Sequence, residues 1–360
     1  MPNPSGFGVR PPKSSEEVKS LWWPSMQSLG WVSDNFIQIT SLLLPQYVIL
    51  HNTLSPLSPP QNRAENDHVT HWHSSRGNYI VLTHKDPSSS SSAEEKAVGI
   101  VLPITYPNKT GWIGFFVVDE AYRGTGGGGR LFQAALDEFA RQGTERVGLD
   151  GVLEQMGTYG RRGFVESGRV KLMGMKEVKE LPVEGLDEPP STTRLKALKD
   201  VDPAALVAAD ERATGLRRTH LWTKELLVER EDAWGFAATG GEDGGVGGDQ
   251  VLGFVLVRSC QHGYRVGPLY APTRGWARAL LLRVMQEVKS FDGSVVAEKS
   301  LVAEVWGENP VAVETFEELG WEYTGMDYSR MWLNGKETEA QKKGGLAEKE
   351  VFAWFDAGEG

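Results

Sequence analysis

The segment YRGTGGGGRLF (Tyr122–Phe132) decides how this sequence is interpreted. It follows an apolar run, GFFVV, and leads into RLFQAALDEFARQ, a run of good helix formers. Glycines in such a loop let backbone N–H groups converge on one point, and the N-terminus of the following helix adds partial positive charge. The segment therefore predicts a site for a phosphate or pyrophosphate group.

A second glycine-rich run, GGEDGGVGG (240–248), has different surroundings. It lies between two predicted strands, AWGFAAT and QVLGFVLVR, and carries acidic residues. No helix follows it. A flexible hairpin loop explains these features, so this run predicts no ligand.

Two known phosphate-binding patterns can be compared with the first run. A Walker loop is excluded because its lysine and hydroxyl residue are replaced by Arg130 and a leucine after Gly129. A dinucleotide-binding fingerprint, G-x-G-x-x-G, is matched by Gly124, Gly126 and Gly129, with Asp150 21 residues further on. Its first glycine should follow the strand at once, however, whereas five residues intervene here. A nicotinamide-dependent enzyme is therefore the weaker alternative.

Composition and charge limit the classes of protein and partner. The 360 residues suffice for two domains, and 40% hydrophobic with 24% charged residues is typical of a globular chain. The formal net charge of −10, concentrated in residues 181–360, disfavours nucleic acid as a partner. The single cysteine, Cys260, excludes an internal disulfide, and no segment reads as a signal peptide or membrane span. We expect a cytoplasmic protein, with the nucleus as alternative, and no membrane partner.

The two halves of the chain repeat one pattern. The apolar run VGIVL (98–102) corresponds to LGFVL (252–256), and the other matched positions keep an offset between 151 and 157 residues. Residues 181–193, LPVEGLDEPPSTT, contain two adjacent prolines and few core residues, as linkers do. The sequence therefore predicts two tandem domains, residues 1–180 and 194–360, joined by this linker.

The hexapeptide RGTGGG (Arg123–Gly128) matches the pattern Arg/Gln-x-x-Gly-x-Gly/Ala. Together with the strand GFFVV, the following helix, the strand RVGLD and then YGRRGF, it resembles the GNAT acetyltransferases over most of residues 14–175. Residues 190–355 resemble a second, degenerate copy, in which alanines replace two of the glycines and Phe316 replaces the tyrosine. The resemblance implies an α/β protein of α+β type: two tandem domains, each with a mixed, mainly antiparallel sheet flanked by helices.

The resemblance also implies a reaction and its residues. The co-substrate would be acetyl-coenzyme A, attacked directly by a primary amine of a small molecule, peptide or protein, without a metal. Tyr159 would be the general acid, because a phenol can donate a proton to the leaving sulfur. The glycine amides would receive the pyrophosphate, and the main chain of Val117 and Val118 would pair with the pantetheine arm. The implied cofactor-binding residues are Val117, Val118, Arg123, Gly124, Thr125, Gly126, Gly127, Gly128 and Gly129.

The general base is left open by the sequence. The strand before the glycine run contains no acid, and the nearest acidic residues are Asp119, Glu120, Asp150 and Glu154, which we expect to be surface charges. The missing strand glutamate and the degenerate second half also favour a second hypothesis. In that hypothesis the chain is a non-catalytic acyl-coenzyme A sensor or scaffold.

A histidine-rich segment, HVTHWH, lies in the stretch 50–77, which is rich in proline, serine and asparagine and predicts an irregular insertion. Its histidines, His68, His71 and His73, are potential metal ligands. No cysteine or acid at a fixed spacing accompanies them, so we expect a polar loop without a metal.

Overall fold

The computed structural model of the protein describes residues 6–28, 67–85, 95–178, 194–230, 232–240, 250–260, 263–291 and 299–360. The strands of these residues form one sheet of thirteen members. In chain order they are β1 Phe7–Arg10, β2 Ile80–His84, β3 Lys96–Thr105, β4 Thr110–Val118, β5 Arg146–Val152, β6 Phe164–Met175, β7 Arg194–Ala197, β8 Ala233–Thr239, β9 Val251–Cys260, β10 Gly263–Tyr270, β11 Ser300–Trp306, β12 Glu322–Leu333 and β13 Val351–Ala353.

The sheet continues from one half of the chain into the other. Its strand order is β1-β2-β3-β4-β5-β12-β6-β11-β13-β10-β9-β8-β7. Strand β12 of the second half lies between β5 and β6 of the first half, with Tyr328 opposite Val152 on one side and Val170 on the other. Strand β6 in turn pairs with β11. Main-chain hydrogen bonds therefore join the two halves.

Only two strand pairs of the described sheet are parallel, β4 with β5 and β10 with β11. The other pairs are antiparallel. This confirms the predicted mixed, mainly antiparallel sheet. A dinucleotide-binding fold requires an open, mostly parallel sheet, so the nicotinamide interpretation of Gly124, Gly126 and Gly129 is wrong.

Helices cover both faces of the sheet. On one face, helix α3 (Gly127–Gln142) buries Leu131, Ala135 and Phe139, which recur at helical spacing. On the other, α1 buries Val18 and Trp22. Among the described residues, no helix is both long and apolar enough to cross a membrane. The helices are α1 Ser15–Ser28, α2 Asp67–Ser74, α3 Gly127–Gln142, α4 Met156–Gly160, α5 Pro203–Thr214, α6 Arg274–Ser290, α7 Pro310–Glu318 and α8 Ala347–Glu350.

Helix α2 corrects one prediction. The histidine-rich segment is helical, and His68 and His71 are buried, so the expected polar loop is wrong. The ring of His68 lies 6.1 Å from that of Trp22 on α1. Apolar neighbours from the sheet and from α1 explain the burial, which the local composition did not indicate. Among the described residues, no three histidine, cysteine, aspartate or glutamate side chains are grouped as a metal site requires.

Three predicted segments lie wholly or partly outside the described residues. The linker 181–193 falls outside them, as do residues 50–66 of the predicted insertion. The second glycine-rich run is described only at Gly240, but its flanking strands β8 and β9 pair antiparallel, with Thr239 opposite Val251. That pairing agrees with the predicted hairpin. The boundaries of the two domains stay a prediction.

Candidate active site

An opening in the sheet lies between β4 and β5. The two strands pair in parallel over four residues, from Thr110 opposite Arg146 to Ile113 opposite Leu149. Strand β4 then continues to Val118 and β5 continues to Val152 without further pairing between them. The residues of β4 beyond Ile113 therefore have an edge without a strand partner on the β5 side, as far as the described residues show.

Val117 and Val118, predicted to bind the cofactor, lie on this edge. On its other side β4 is paired with β3, with Val117 opposite Ile100 and Val118 opposite Gly99. Main-chain groups on the open side could therefore pair with an extended ligand, as a sheet edge pairs with an added strand. A cavity of about 260 Å³ beside this strand end is also lined by Val117, together with Arg123.

A bulge marks the start of the opening. Phe115 has a φ of +47°, which is uncommon for a residue with a side chain, and the β3–β4 register shifts between Ile100 and Leu102. The ring of Phe115 lies 6.0 Å from that of Trp22 and 4.5 Å from that of His71. These aromatic contacts hold the backbone in a conformation that costs about 1–3 kcal/mol.

The loop after β4 is braced by its own polar side chains. Asp119 accepts a hydrogen bond from the amide of Ala121 (3.0 Å) and caps a short 3₁₀ turn, Glu120–Tyr122. Arg123 Nε donates to the carbonyl of Val118 (2.9 Å), and Thr125 Oγ1 donates to that of Tyr122 (2.6 Å). Arg123 and Thr125 therefore fix the loop on the end of β4, whatever their contacts to a ligand.

The glycines fall into different structural classes. Gly124 and Gly126 have φ values of +74° and +93°, and a Cβ on either would meet nothing within 4 Å. Gly127 differs, because a Cβ there would lie 2.8 Å from the ring of Phe7. A Cβ on Gly128 or Gly129 would make ordinary contacts at 3.6 and 3.7 Å. The first two positions face open space, which suits the approach of a ligand to the backbone.

Helix α3 begins inside the glycine run, at Gly127 rather than at the predicted Arg130. Its N-cap residue, Gly126, has no side chain to satisfy the first amides, and the first N–H groups of a helix have no partner within the helix. The helix dipole adds partial positive charge at the same place. Uncapped amides at a helix N-terminus are suited to bind an anion.

Arg162 is a residue of this site that the sequence did not single out. Its Nη2 lies 3.7 Å from the position that a Cβ on Gly129 would take, so the guanidinium of Arg162 lies beside the glycine run. Its Nη1 donates to the carbonyl of Thr158 (2.8 Å), and the group lies 4.9 Å from the ring centre of Phe132. The neighbouring Arg161 is exposed. The pair of arginines in YGRRGF was the available signal, but which of them faces α3 depends on the fold.

Tyr159 lies on α4 and is 8% exposed. The ring centres of Tyr159 and of Phe132 on α3 are 5.8 Å apart. A Cβ on Gly151 would lie only 2.5 Å from the Tyr159 ring, so the ring packs directly against the backbone of Gly151. Gly151 belongs to the part of β5 that has left β4, so Tyr159 borders the opening. Burial raises the pKa of Tyr159 to about 12, with a small opposing effect of Arg162. The phenol is therefore protonated at neutral pH and can donate a proton.

Asp150, one of the candidate bases, is engaged elsewhere. It is buried instead of lying on the surface as expected, and both carboxylate oxygens accept hydrogen bonds from Arg330 of β12, at 2.9 and 2.6 Å. Burial raises the pKa of Asp150 to about 6, and Arg330 opposes that shift. The guanidinium also lies 3.6 Å from the ring centre of Trp354. This ion pair joins the halves and leaves Asp150 poorly placed to accept a proton from a substrate.

The equivalent opening of the second half is filled. Strands β10 and β11 pair in parallel only from Gly263 to Arg265, and β13 lies between them further along. The helix that follows, α6, is capped by Thr273, whose side chain accepts from the amide of Trp276. The described second half therefore lacks both the open edge and the uncapped amides of the first.

Comparison with known proteins gives a consistent result. Residues 46–164 match the model of the acetyltransferase (GNAT) family, and residues 206–344 match that of an acetyltransferase (GNAT) domain. A holothin acyltransferase of Pseudoalteromonas sp. (strain SANK 73390) is 29% identical over 195 residues, which is 54% of this chain and 59% of that relative. The chain thus matches about three fifths of the length of this relative.

Solved structures show the same fold. A putative acetyltransferase from Pyrococcus horikoshii superposes with a TM-score of 0.64 at 18% identity, covering 99% of this chain and 96% of its own. A tandem GNAT protein from the clavulanic acid biosynthesis pathway has a TM-score of 0.52 at 14% identity, covering 91% and 98%. The solved structures thus show the tandem fold. The two family models and the acyltransferase relative confirm the resemblance predicted from the sequence and support an acyltransferase.

Proposed function

Because the chain belongs to the GNAT acetyltransferase family, we propose that it transfers an acetyl group from acetyl-coenzyme A to a primary amine at the opening of its first half. One observation carries the proposal: within the described residues, the edge of β4 beyond Ile113 has no strand partner, and one short turn connects it to the uncapped N-terminus of α3. The second half has a filled opening and a capped helix instead. We therefore infer one cofactor site per chain, within the proposed domain 1–180.

The cofactor is proposed to bind along this edge. The pantetheine arm pairs with the main chain of Val117 and Val118, and the pyrophosphate lies against the amides of residues 124–129. The guanidinium groups of Arg123 and Arg162 add positive charge near these amides. Hydrogen bonds to charged phosphate oxygens are stronger than those between neutral groups. The pyrophosphate end of the cofactor therefore supplies much of the proposed affinity.

The proposed chemistry is a direct transfer. The amine nitrogen attacks the thioester carbonyl, a C–N bond forms, and the C–S bond breaks as the tetrahedral intermediate collapses. The leaving thiolate takes the phenolic proton of Tyr159, and the phenolate regains a proton from the nitrogen that becomes the amide. The high pKa of Tyr159, about 12, keeps the phenol protonated before the transfer.

The acceptor is proposed to be an amine of a small molecule or peptide. The relative named a holothin acyltransferase makes holothin a rational member of an acceptor panel. A cytoplasmic location goes with the proposal, because Cys260 is the single cysteine of the sequence and its buried thiol forms no disulfide, which suits a reducing compartment.

The test combines binding with turnover. Calorimetry should show acetyl-coenzyme A binding, and a panel of primary amines including holothin should be screened by release of the coenzyme thiol. Tyr159→Phe should lower kcat by about 100-fold or more with unchanged cofactor binding. Tyr323→Phe is the matched control, since Tyr323 is exposed on β12 and should not affect turnover. Binding without turnover for every amine would instead support an acyl-coenzyme A sensor.

A further inference from the structure

Residues 354–360, here called the 354–360 segment, lie against the base of the opening. Trp112 Nε1 donates to the carbonyl of Ala357 (3.0 Å), and the carbonyl oxygen of Gly358 occupies the place of a Cβ on Gly114. Gly114 is the first residue of β4 beyond its pairing with β5. The segment therefore touches the sheet where the two strands separate.

The segment and Tyr159 lie on opposite faces of the sheet. Tyr159 packs with Ile113 and Val118, in the cluster that contains α3. Trp112 and Phe115, which contact the segment, belong to the cluster that contains α1. A thioester held between β4 and β5 would thus have Tyr159 on one side and the 354–360 segment on the other.

Strand β13 fixes the position of this segment. Ala353 pairs with Leu269 of β10 and with Val305 of β11, inside the opening of the second half. Arg258 then donates to the carbonyl of Phe355 (2.9 Å) and to the carboxylate of Asp356 (3.0 Å). The second half therefore uses its own opening as an anchor for residues that reach the first half.

Glu359, which belongs to the 354–360 segment, lies between two histidine side chains. Its Oε1 lies 2.7 Å from Nδ1 of His71, and its Oε2 lies 3.4 Å from Nε2 of His220. The Glu359 carboxylate is buried, which alone would raise its pKa, but the two histidines hold that pKa low, at about 2. Glu359 is therefore ionised at neutral pH and orients both rings.

The two histidines differ in their surroundings. His71 is fully buried, and its Nε2 faces a second carboxylate, Asp356, at 3.5 Å. The His220 side chain is 16% exposed, and its ring stacks on Tyr106 at 5.4 Å. The Glu359 carboxylate, 3.4 Å from Nε2 of His220, favours the tautomer with the proton on Nε2, which leaves the lone pair on Nδ1. Of the two rings, that of His220 has exposed surface, which a proton acceptor for a substrate requires.

Charged and titratable groups lie on the elements packed around His220 and Glu359. Tyr106, which stacks on His220, donates its hydroxyl to the carbonyl of Glu359 (2.8 Å) and stays a phenol, because burial raises its pKa. The ion pairs of this cluster are Arg218–Asp210 and Arg258–Asp356, and the ring of His71 faces the carboxylate of Glu359.

We propose that His220 is the proton acceptor for the substrate amine and that Glu359 is its positioning residue. The inference rests on the proposed function and supplies the base that the sequence left open. The substrate ammonium gives one proton to Nδ1 of His220, the neutral amine attacks the thioester, and the imidazolium returns its proton to solvent. Glu359 stabilises the imidazolium through Nε2, as a carboxylate does in other histidine-based catalysts.

The experiment compares pH profiles of turnover for the full chain, with acetyl-coenzyme A and the best amine of the panel. His220→Gln should lower kcat by about 100-fold at neutral pH and remove the histidine limb of the profile, with unchanged calorimetric binding of acetyl-coenzyme A. Glu359→Gln should shift the midpoint of that limb to lower pH, because the carboxylate that stabilises the imidazolium is gone. His73→Gln, on the exposed side of α2, should leave the profile unchanged.

Each outcome decides the proposal. A His220→Gln variant that keeps the wild-type kcat and profile overturns it. If the variants do not fold, NMR titration of the imidazole groups in the wild-type protein replaces them, and His220 must titrate with the midpoint of kcat/KM. A midpoint more than one pH unit away overturns the inference. A wild-type protein that transfers acetyl to no amine overturns the proposed function together with this inference. Turnover whose pH profile is unaltered in His220→Gln overturns this inference alone.

Discussion

Single alanine substitutions at two positions of the glycine run, Gly126 and Gly128, should have opposite effects on stability. Gly126 has a φ of +93° with no atom within 4 Å of a Cβ, so backbone strain alone determines the effect of Gly126→Ala. A left-handed conformation costs an L-residue about 1–2 kcal/mol. We expect the free energy of unfolding to fall by about that amount.

Gly128 lies in the first turn of α3, and a Cβ there would meet Phe116 and Val118 at an ordinary 3.6 Å. Alanine is favoured over glycine inside a helix by about 0.5–1 kcal/mol, so Gly128→Ala should stabilise the protein. The two variants should therefore differ by about 1.5–3 kcal/mol in opposite directions from the wild type. Gly127→Ala should be destabilising for another reason, the ring of Phe7 at 2.8 Å, and Phe7→Leu should restore part of the loss.

Urea denaturation followed by tryptophan fluorescence measures these differences, and calorimetry measures the affinity for acetyl-coenzyme A. Gly126→Ala should also weaken binding, because the left-handed conformation that presents the amides of the first helical turn is disfavoured for alanine. Gly128→Ala introduces no such strain. It is the matched control, because it also adds one methyl group beside the first turn of the helix. Equal changes in stability for Gly126→Ala and Gly128→Ala would refute the assignment of distinct roles to these glycines.

Three further predictions concern charged groups. Arg162→Ala should weaken acetyl-coenzyme A binding by about 3- to 10-fold, more at low salt, whereas Arg161→Ala should not; calorimetry at two salt concentrations checks this. Arg330→Met should destabilise the chain by about 3–5 kcal/mol, because it leaves the buried Asp150 carboxylate unpaired, and Asp150→Asn in the same chain should restore most of the stability in urea unfolding. The Glu359 carboxylate, with its pKa lowered from 4.5 to about 2, stabilises the fold fully above pH 4.5, and about 3 kcal/mol should be lost as the pH falls from 4.5 to 2. Acid unfolding of Glu359→Gln should show a correspondingly flatter dependence over that range.

Local signals predicted several elements because the interactions that form them are local. Asp202 followed by Pro203 is a local signal for the start of a helix, and in α5 the Asp202 side chain accepts from the amide of Ala204 (3.0 Å) as a cap does. The apolar runs of β3 and β4 and the amphipathic run of α3 appear within a few residues of their predicted bounds. Periodicity and capping depend on neighbours in sequence, which a single chain displays.

Contacts between distant parts of the chain were not predictable in this way. Arg330 binds Asp150 across 180 residues, and it does so because β12 lies between β5 and β6. Glu359 meets His71 across 288 residues, because β13 is held inside the opening of the second half. Neither partner carries a local signal, since each of these residues is an ordinary charged or polar residue in its own segment.

The glycine run shows which properties of the site follow from the sequence and which follow from the tertiary structure. The sequence by itself determined that RGTGGGG follows a strand and opens a helix, and it predicts a phosphate site there, since these properties depend on order and on the absence of side chains. Only the tertiary structure decided that Gly124 and Gly126 face open space, that Gly127 makes room for Phe7, and that Arg162 stands beside Gly129. Those distinctions depend on which distant atoms surround each Cα, and packing of the whole chain fixes them.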